Sequence, residues 1–162
     1  MNEDRSIKID RMRYIKNSLS ANLALVAIVF DVLYFVSIYQ SNVGNYYYNY
    51  LIGISVVYNL IFMLAAFLSS EGVKNYKKNY SFLLLALGAI QIVRIFILPA
   101  RAHSATVSIG GVETLAMGDR QFYTLVVYLI VSAVCLAASA AVNFIRCRAL
   151  EAHIKTLEAQ GA

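Results

Sequence analysis

The chain has 162 residues, of which 60% are hydrophobic and only 14% are charged. Soluble domains average about 45–50% apolar and about 25% charged residues, so this composition excludes an ordinary soluble domain and indicates a membrane protein. The net charge of +5 could suit nucleic acid in a soluble protein, but here the basic residues flank apolar segments, and no nucleic-acid partner is expected.

The chain begins with a basic segment, residues 1–18, that interleaves basic side chains with Ile7, Ile9, Met12, Tyr14 and Ile15. Such a mixture predicts a short interfacial helix on anionic lipid, because each basic residue near that surface contributes about 1 kcal/mol.

Four later segments are apolar enough to span a bilayer, which takes about 20 residues. The first is too long for a cleaved signal peptide and has no small-x-small site, so we interpret it as a retained helix. The third stops at Pro99, which cannot continue a helical hydrogen-bond ladder. The sequence therefore predicts an all-α membrane protein, a single four-helix transmembrane bundle over residues 1–162, with spans at 19–39, 50–69, 81–98 and 122–145.

The basic residues predict the orientation of these spans. Eleven basic residues lie on one side of the predicted spans. The opposite side has only Arg101 and Arg120, and Arg94 lies inside a span. The positive-inside rule then places both termini in the cytoplasm of a multi-pass protein of the plasma membrane. Tyrosines near the span ends fit an interfacial belt. The basic residues of the cytoplasmic side are Arg5, Lys8, Arg11, Arg13 and Lys16, then Lys74, Lys77 and Lys78, then Arg146, Arg148 and Lys155.

Residues 100–121 form the one sizeable outer loop. Alternating residues on both sides of Gly110-Gly111 predict a small extracytoplasmic β-hairpin between the third and fourth spans. Two strands alone are marginally stable in water, so we expect the hairpin to pack on its own helices or on a partner. His103 and Glu113 are the candidate metal ligands there, and two residues do not make a site.

After the fourth span, residues 146–162 form a predicted cytoplasmic tail. Leu150, Ile154 and Leu157 recur at helical spacing, which indicates that the helix projects past the membrane. Two interpretations stay open: a solvated extension, or a short docking helix whose apolar stripe is covered by a partner.

Four polar residues inside the spans lie at about the same depth, near the midplane, at a rise of 1.5 Å per residue. They are Asp31 in the first span, Asn59 in the second, and Gln91 and Arg94 in the third. An ionised side chain there costs about 2.5–3.5 kcal/mol even on a lenient scale, so it needs a partner. We expect Asp31 to pair with Arg94, with Asn59 and Gln91 completing the cluster. Either this cluster only fixes helix register, or it serves transport or gating.

Each span also has a seam of small or polar residues that would let the four helices approach closely. On the first span the seam runs Ser20, Ala24, Ala27 and Asp31; on the fourth it runs Ser132, Cys135, Ser139 and Asn143.

The motifs of nucleotide-binding, metal-dependent and nucleophilic enzymes are missing, so no catalytic residue, cofactor or metal is predicted, and no known family is indicated. We expect a non-enzymatic protein, either an accessory subunit of a membrane transport complex or a protomer of a homo-oligomer. Its expected partners are the lipid bilayer and a membrane protein or a second copy of itself. The alternative is a self-contained transporter or channel for a small ion or solute that uses the cluster. An intramembrane enzyme is a distant third.

Overall fold

The computed structural model describes residues 16–39, 49–109 and 111–160. The predicted interfacial helix therefore lies outside the described residues, apart from its last three positions. Tyr46, Tyr47 and Tyr48, between the first two predicted spans, and Gly110 of the predicted hairpin turn lie outside them as well.

Four long helices dominate the fold: α1 (Ser18–Ile38), α2 (Asn49–Lys74), α3 (Asn79–Ile97) and α5 (Asp119–Gln160). All four are long and apolar enough to cross a membrane. Their outward faces carry large apolar side chains, such as Ile61 and Phe82, each 63% exposed. Lipid, unlike water, solvates such a surface without cost. The chain is thus a helical multi-pass membrane protein by length and composition.

The helices run alternately up and down between two ends of the bundle. At the lysine end, the Asn17 backbone N–H donates to the Lys74 carbonyl (2.9 Å), which joins the start of α1 to the end of α2. At the other, hairpin end, Gln121 on α5 donates to the Ser37 carbonyl on α1 (2.8 Å). Each long helix packs mainly on two neighbours, in the cyclic order α1, α2, α3, α5.

Two apolar cores fill the bundle, one in each half. The lysine-end core contains small residues of α1, including Ala24 and Ala27, packed against Leu84 and Leu136. The hairpin-end core contains Tyr34 and Ile38 of α1 with the residues Ala102, Met117, Leu125 and Leu129. The level between the two cores is where polar residues gather.

The connection between α3 and α5 closes the hairpin end. Pro99 begins a short helix, α4 (Pro99–His103), rather than only ending α3, since proline is well tolerated in a first helical turn. Two strands follow, β1 (Thr106–Ile109) and β2 (Val112–Leu115), paired antiparallel with Ser108 opposite Glu113 and Ile109 opposite Val112. All four residues of β2 are exposed. The buried Ala116 and Met117 then return the chain to the bundle.

Two helices extend beyond the predicted spans. The second span was predicted to end at residue 69, but α2 continues to Lys74. Residues 119–121, the fourth span and the first 15 residues of the tail form one helix of 42 residues. At 1.5 Å per residue α5 is about 63 Å long, roughly twice the hydrocarbon thickness.

Serine side chains hold α1 tightly against its neighbours. The Ser20 hydroxyl donates to the Ser139 carbonyl (2.7 Å), and the Ser139 hydroxyl donates back to the Ser20 carbonyl (2.7 Å). The Ser70 hydroxyl on α2 donates to the Ala21 carbonyl (3.2 Å). Small residues let the backbones approach closely enough for these bonds, which in membranes contribute about 0.6 kcal/mol each.

Candidate functional site: a buried polar cluster and an adjoining cleft

The structure brings the four polar residues predicted as a cluster together between the two apolar cores. Arg94 Nη1 donates to Asp31 Oδ1 at 2.8 Å, and Gln91 Nε2 donates to the same oxygen at 2.9 Å. Arg94 Nη2 donates to the Asn59 side-chain oxygen. We call Asp31, Asn59, Gln91 and Arg94 the Asp31 cluster.

The fourth long helix also joins the cluster, through Ser132. Gln91 Nε2 donates to Ser132 Oγ (3.2 Å), and the Ser132 hydroxyl donates to the Ala27 carbonyl on α1 (3.0 Å). The sequence placed Ser132 on the polar seam of α5 but gave it no role in the cluster. Every long helix thus contributes a polar group at this level.

Burial makes the charge balance of the cluster decisive. Asp31 is fully buried and Arg94 is 5% exposed, so neither charge is solvated by water. Each charge therefore depends on the other, since an uncompensated charge in such a place costs several kcal/mol. One acceptor remains open, because Asp31 Oδ2 is buried with no hydrogen-bond partner among the described residues.

The arrangement resembles a cation site whose cation is a side chain. The Arg94 guanidinium donates to side-chain oxygens of Asp31, Asn59 and Gln91, which are the types of ligand a hard metal ion would use. Among the described residues, no group of three histidine, cysteine or carboxylate side chains is placed to hold a metal ion.

Two tyrosines, which the sequence did not link to the cluster, flank Arg94. The Arg94 guanidinium carbon lies 4.2 Å from the centroid of the Tyr34 ring and 5.0 Å from that of the Tyr58 ring. Both distances suit cation–π attraction, which is strongest where water is absent. The signal in the sequence was spacing: Tyr34 lies one helical turn beyond Asp31, and Tyr58 directly precedes Asn59.

A second polar cluster lies at the lysine end, and sequence reasoning missed most of it. Asn17 Nδ2 donates to Asn143 Oδ1 (3.0 Å), and Asn143 Nδ2 donates to Ser81 Oγ (2.7 Å). Arg146 donates to Asn17 Oδ1 at 3.1 Å. Asn143 was predicted only as part of the polar seam of α5. Asn17 and Ser81 lie at helix starts, where polar residues are common and do not indicate a buried cluster. We call Asn17, Ser81 and Asn143 the Asn143 cluster.

A cleft opens beside the Asp31 cluster, in the hairpin-end half of the bundle. Its volume is about 300 Å³, and α1, α2, α3 and α4 all contribute to its walls. Tyr34, Tyr58 and Arg94 form one wall, Ile54 and Ile97 are apolar, and Arg101 lies at the same cleft.

The other predicted ligands and the cysteines lie apart from this cleft. His103 contacts Asp119 (Nε2 to Oδ1, 3.6 Å) and stacks on Phe122, with 4.5 Å between ring centroids. Glu113 lies on the exposed strand β2. Cys135 and Cys147 are both free thiols. None of these residues lines the cleft.

Comparison with models of known families, with curated proteins and with solved structures finds no match for this chain.

Proposed function

We propose that the protein is a non-enzymatic membrane bundle that works in an assembly, as an accessory subunit of a membrane transport complex or as a protomer of a homo-oligomer. It lies in the plasma membrane with both termini in the cytoplasm and the β1–β2 hairpin outside. The distribution of basic residues supports this orientation. The lysine end then faces the anionic lipid of the cytoplasmic leaflet.

The observation that carries the proposal is that the buried face of α5 continues beyond the other helices of the bundle. Within the bundle, Leu136, Ala140, Asn143 and Cys147 lie on this face, spaced by three or four residues, and each is at most 2% exposed. The same spacing continues past the bundle with Leu150, which is half-buried, and Ile154, which is 44% exposed. An apolar stripe that outlasts its covering helices fits a partner helix, as in a coiled coil.

The interior of the bundle supports the same proposal. The charges of the Asp31 cluster are balanced within it, and the lysine-end core separates it from the Asn143 cluster. Ala24, Phe62, Leu84 and Leu136 of that core are buried and apolar. A polar path from one end to the other would have to cross this layer. The interior therefore suits a scaffold better than a conduit.

The proposal is tested by measuring mass after mild extraction of tagged protein expressed at low level. The protein mass of the wild-type particle, without bound detergent, should exceed that of one 18.0 kDa chain, because other proteins or further copies are present. Ile154→Asp should weaken association about tenfold or more, because it places a charge on the stripe.

Ala152→Asp is the matched control, since it adds the same charge to an exposed position on the opposite face of α5. It should leave the mass unchanged. A lone monomer for the wild type, both in micelles and in lipid nanodiscs, would refute the proposal.

The alternative, a self-contained transporter of a small ion or solute, is favoured by one observation: the cleft reaches Arg94. It predicts flux in liposomes that contain only this protein, and a change in that flux for Asp31→Asn. Equal flux in the variant and the wild type would remove the Asp31 cluster from any transport route.

A further inference from the structure

The cleft beside the Asp31 cluster carries an excess of positive charge. None of the described residues that line it carries a carboxylate. Arg94 is balanced by Asp31, whereas Arg101 is exposed and forms no ion pair with any residue that the structure describes. A ligand of this cleft is therefore favoured if it carries one negative charge.

The same cleft has an apolar side that faces outward from the bundle. Ile54 of α2 and Ile97 of α3 line it and are 49% and 55% exposed. In a membrane these side chains meet acyl chains, so a ligand can enter sideways from the bilayer. Burying an acyl chain there removes no group that needs water.

The cleft also contains a hydrogen-bond donor without an acceptor. The Tyr58 hydroxyl is buried and forms no hydrogen bond with any described residue. Leaving such a hydroxyl unsatisfied destabilises the protein, because its lost hydrogen bonds to water are not replaced. An anionic oxygen held between Tyr58 and Arg101 would be the acceptor that this hydroxyl lacks.

We propose that this cleft binds a membrane-borne anion, with its acyl chain along Ile54 and Ile97 and its negatively charged oxygens at Tyr58 and Arg101. Two sources share this chemistry: the phosphate of an anionic phospholipid and the carboxylate of a free fatty acid. The volume of about 300 Å³ admits a headgroup and the first part of one chain, with the remainder in the bilayer.

The test is native mass spectrometry of protein released from nanodiscs of defined composition. One arm contains phosphatidylglycerol in phosphatidylcholine, and the other contains oleic acid in phosphatidylcholine. The wild type should retain one anionic molecule in preference to phosphatidylcholine in at least one arm, and the arm that shows retention identifies the source. Tyr58→Phe and Arg101→Gln should each reduce that retention about three- to tenfold.

Two variants at the same end serve as controls for these losses. Tyr123→Phe removes a hydroxyl from a side chain that is 68% exposed, and Arg120→Gln removes an exposed arginine; neither residue lines the cleft. Both should retain the anion like the wild type. Retention of phosphatidylcholine equal to that of both anions, or equal losses in control and cleft variants, would overturn the proposal. Oligomeric mass is a separate readout, so it distinguishes this failure from a failure of the proposed assembly.

Discussion

Asp31 on α1 depends on a cation that α3, the opposite helix of the bundle, supplies at 2.8 Å. Removal of one member leaves the other buried and unpaired, which costs about 3–5 kcal/mol in a buried pair. We therefore expect Asp31→Ala and Arg94→Ala each to destabilise the bundle strongly, and the double variant to cost less than the sum. The measurement is unfolding in mixed micelles with increasing dodecyl sulfate, followed by circular dichroism.

The comparison needs a polar residue of α1 that lies outside the bundle interior. Asn22 on α1 is exposed, so Asn22→Ala should change the free energy of unfolding by no more than about 0.5 kcal/mol. Strictly additive effects of the two changes at Asp31 and Arg94 would show that the pair contributes no coupling.

The members of the Asp31 cluster could be predicted because polar side chains are costly in an apolar span and their depth follows from counting. Tyr34 and Tyr58 could not, since a tyrosine is equally at home in a core, in a belt or against a cation. Asn17 and Ser81 sit where the chain enters a helix, and only the fold shows that they meet Asn143. The free-energy cost of burying a charge makes a charged residue in an apolar span easy to recognise. A neutral polar residue costs less to bury, so the sequence alone does not single it out.

At the scale of helices, the contact between α3 and α5 depends on a glycine. A Cβ added at Gly88 would lie 3.4 Å from the Ala133 carbonyl oxygen and 3.7 Å from the Leu136 Cβ. Alanine therefore just fits, but leucine has to push the helices apart. Gly88→Leu should destabilise by about 1–3 kcal/mol in the same unfolding assay, and Gly88→Ala should cost much less.

Gly53 provides the matched substitution for Gly88. A Cβ there meets no atom of the described residues within 4 Å, and the residue is exposed on α2. Gly53→Leu adds the same volume without a clash, so it should be neutral or slightly stabilising, given the low helix propensity of glycine. Equal costs at the two positions would mean that the α3–α5 spacing is not set by Gly88.

The existence of the four long helices follows from hydropathy, but their ends do not. Apolar composition stops at about residue 69 in α2, yet the Ser70 hydroxyl bonds to α1 and the helix continues to Lys74. The ion pair between Lys78 and Glu151 lies beyond the apolar part of α5 and joins this helix to the connection between α2 and α3. Bilayer thickness limits where a helix can be apolar, whereas tertiary contacts decide where it ends.

For the whole molecule, the two ends differ in kind. The lysine end combines the Asn143 cluster with the basic residues around Lys74, Lys77 and Arg146, while the hairpin end combines the cleft with the exposed strand β2. We expect a bundle with such different ends to insert in one orientation, because the basic residues that govern the positive-inside rule are concentrated at the lysine end. The cleft and its arginine then lie in the half of the bilayer that the hairpin faces.

This orientation is testable by labelling single cysteines in intact cells. The background replaces Cys135 and Cys147 with alanine, and one cysteine is then placed at Ser104 or at Asn75, which are exposed at opposite ends of the bundle. A membrane-impermeant maleimide should label Ser104→Cys in intact cells, and Asn75→Cys only after the cells are permeabilised. The reversed pattern would place the basic residues outside, and with them the cleft in the cytoplasmic half of the bilayer. If about half of the molecules of each variant were labelled in intact cells, the chain would insert in both directions. The concentration of basic residues at one end is expected to prevent this.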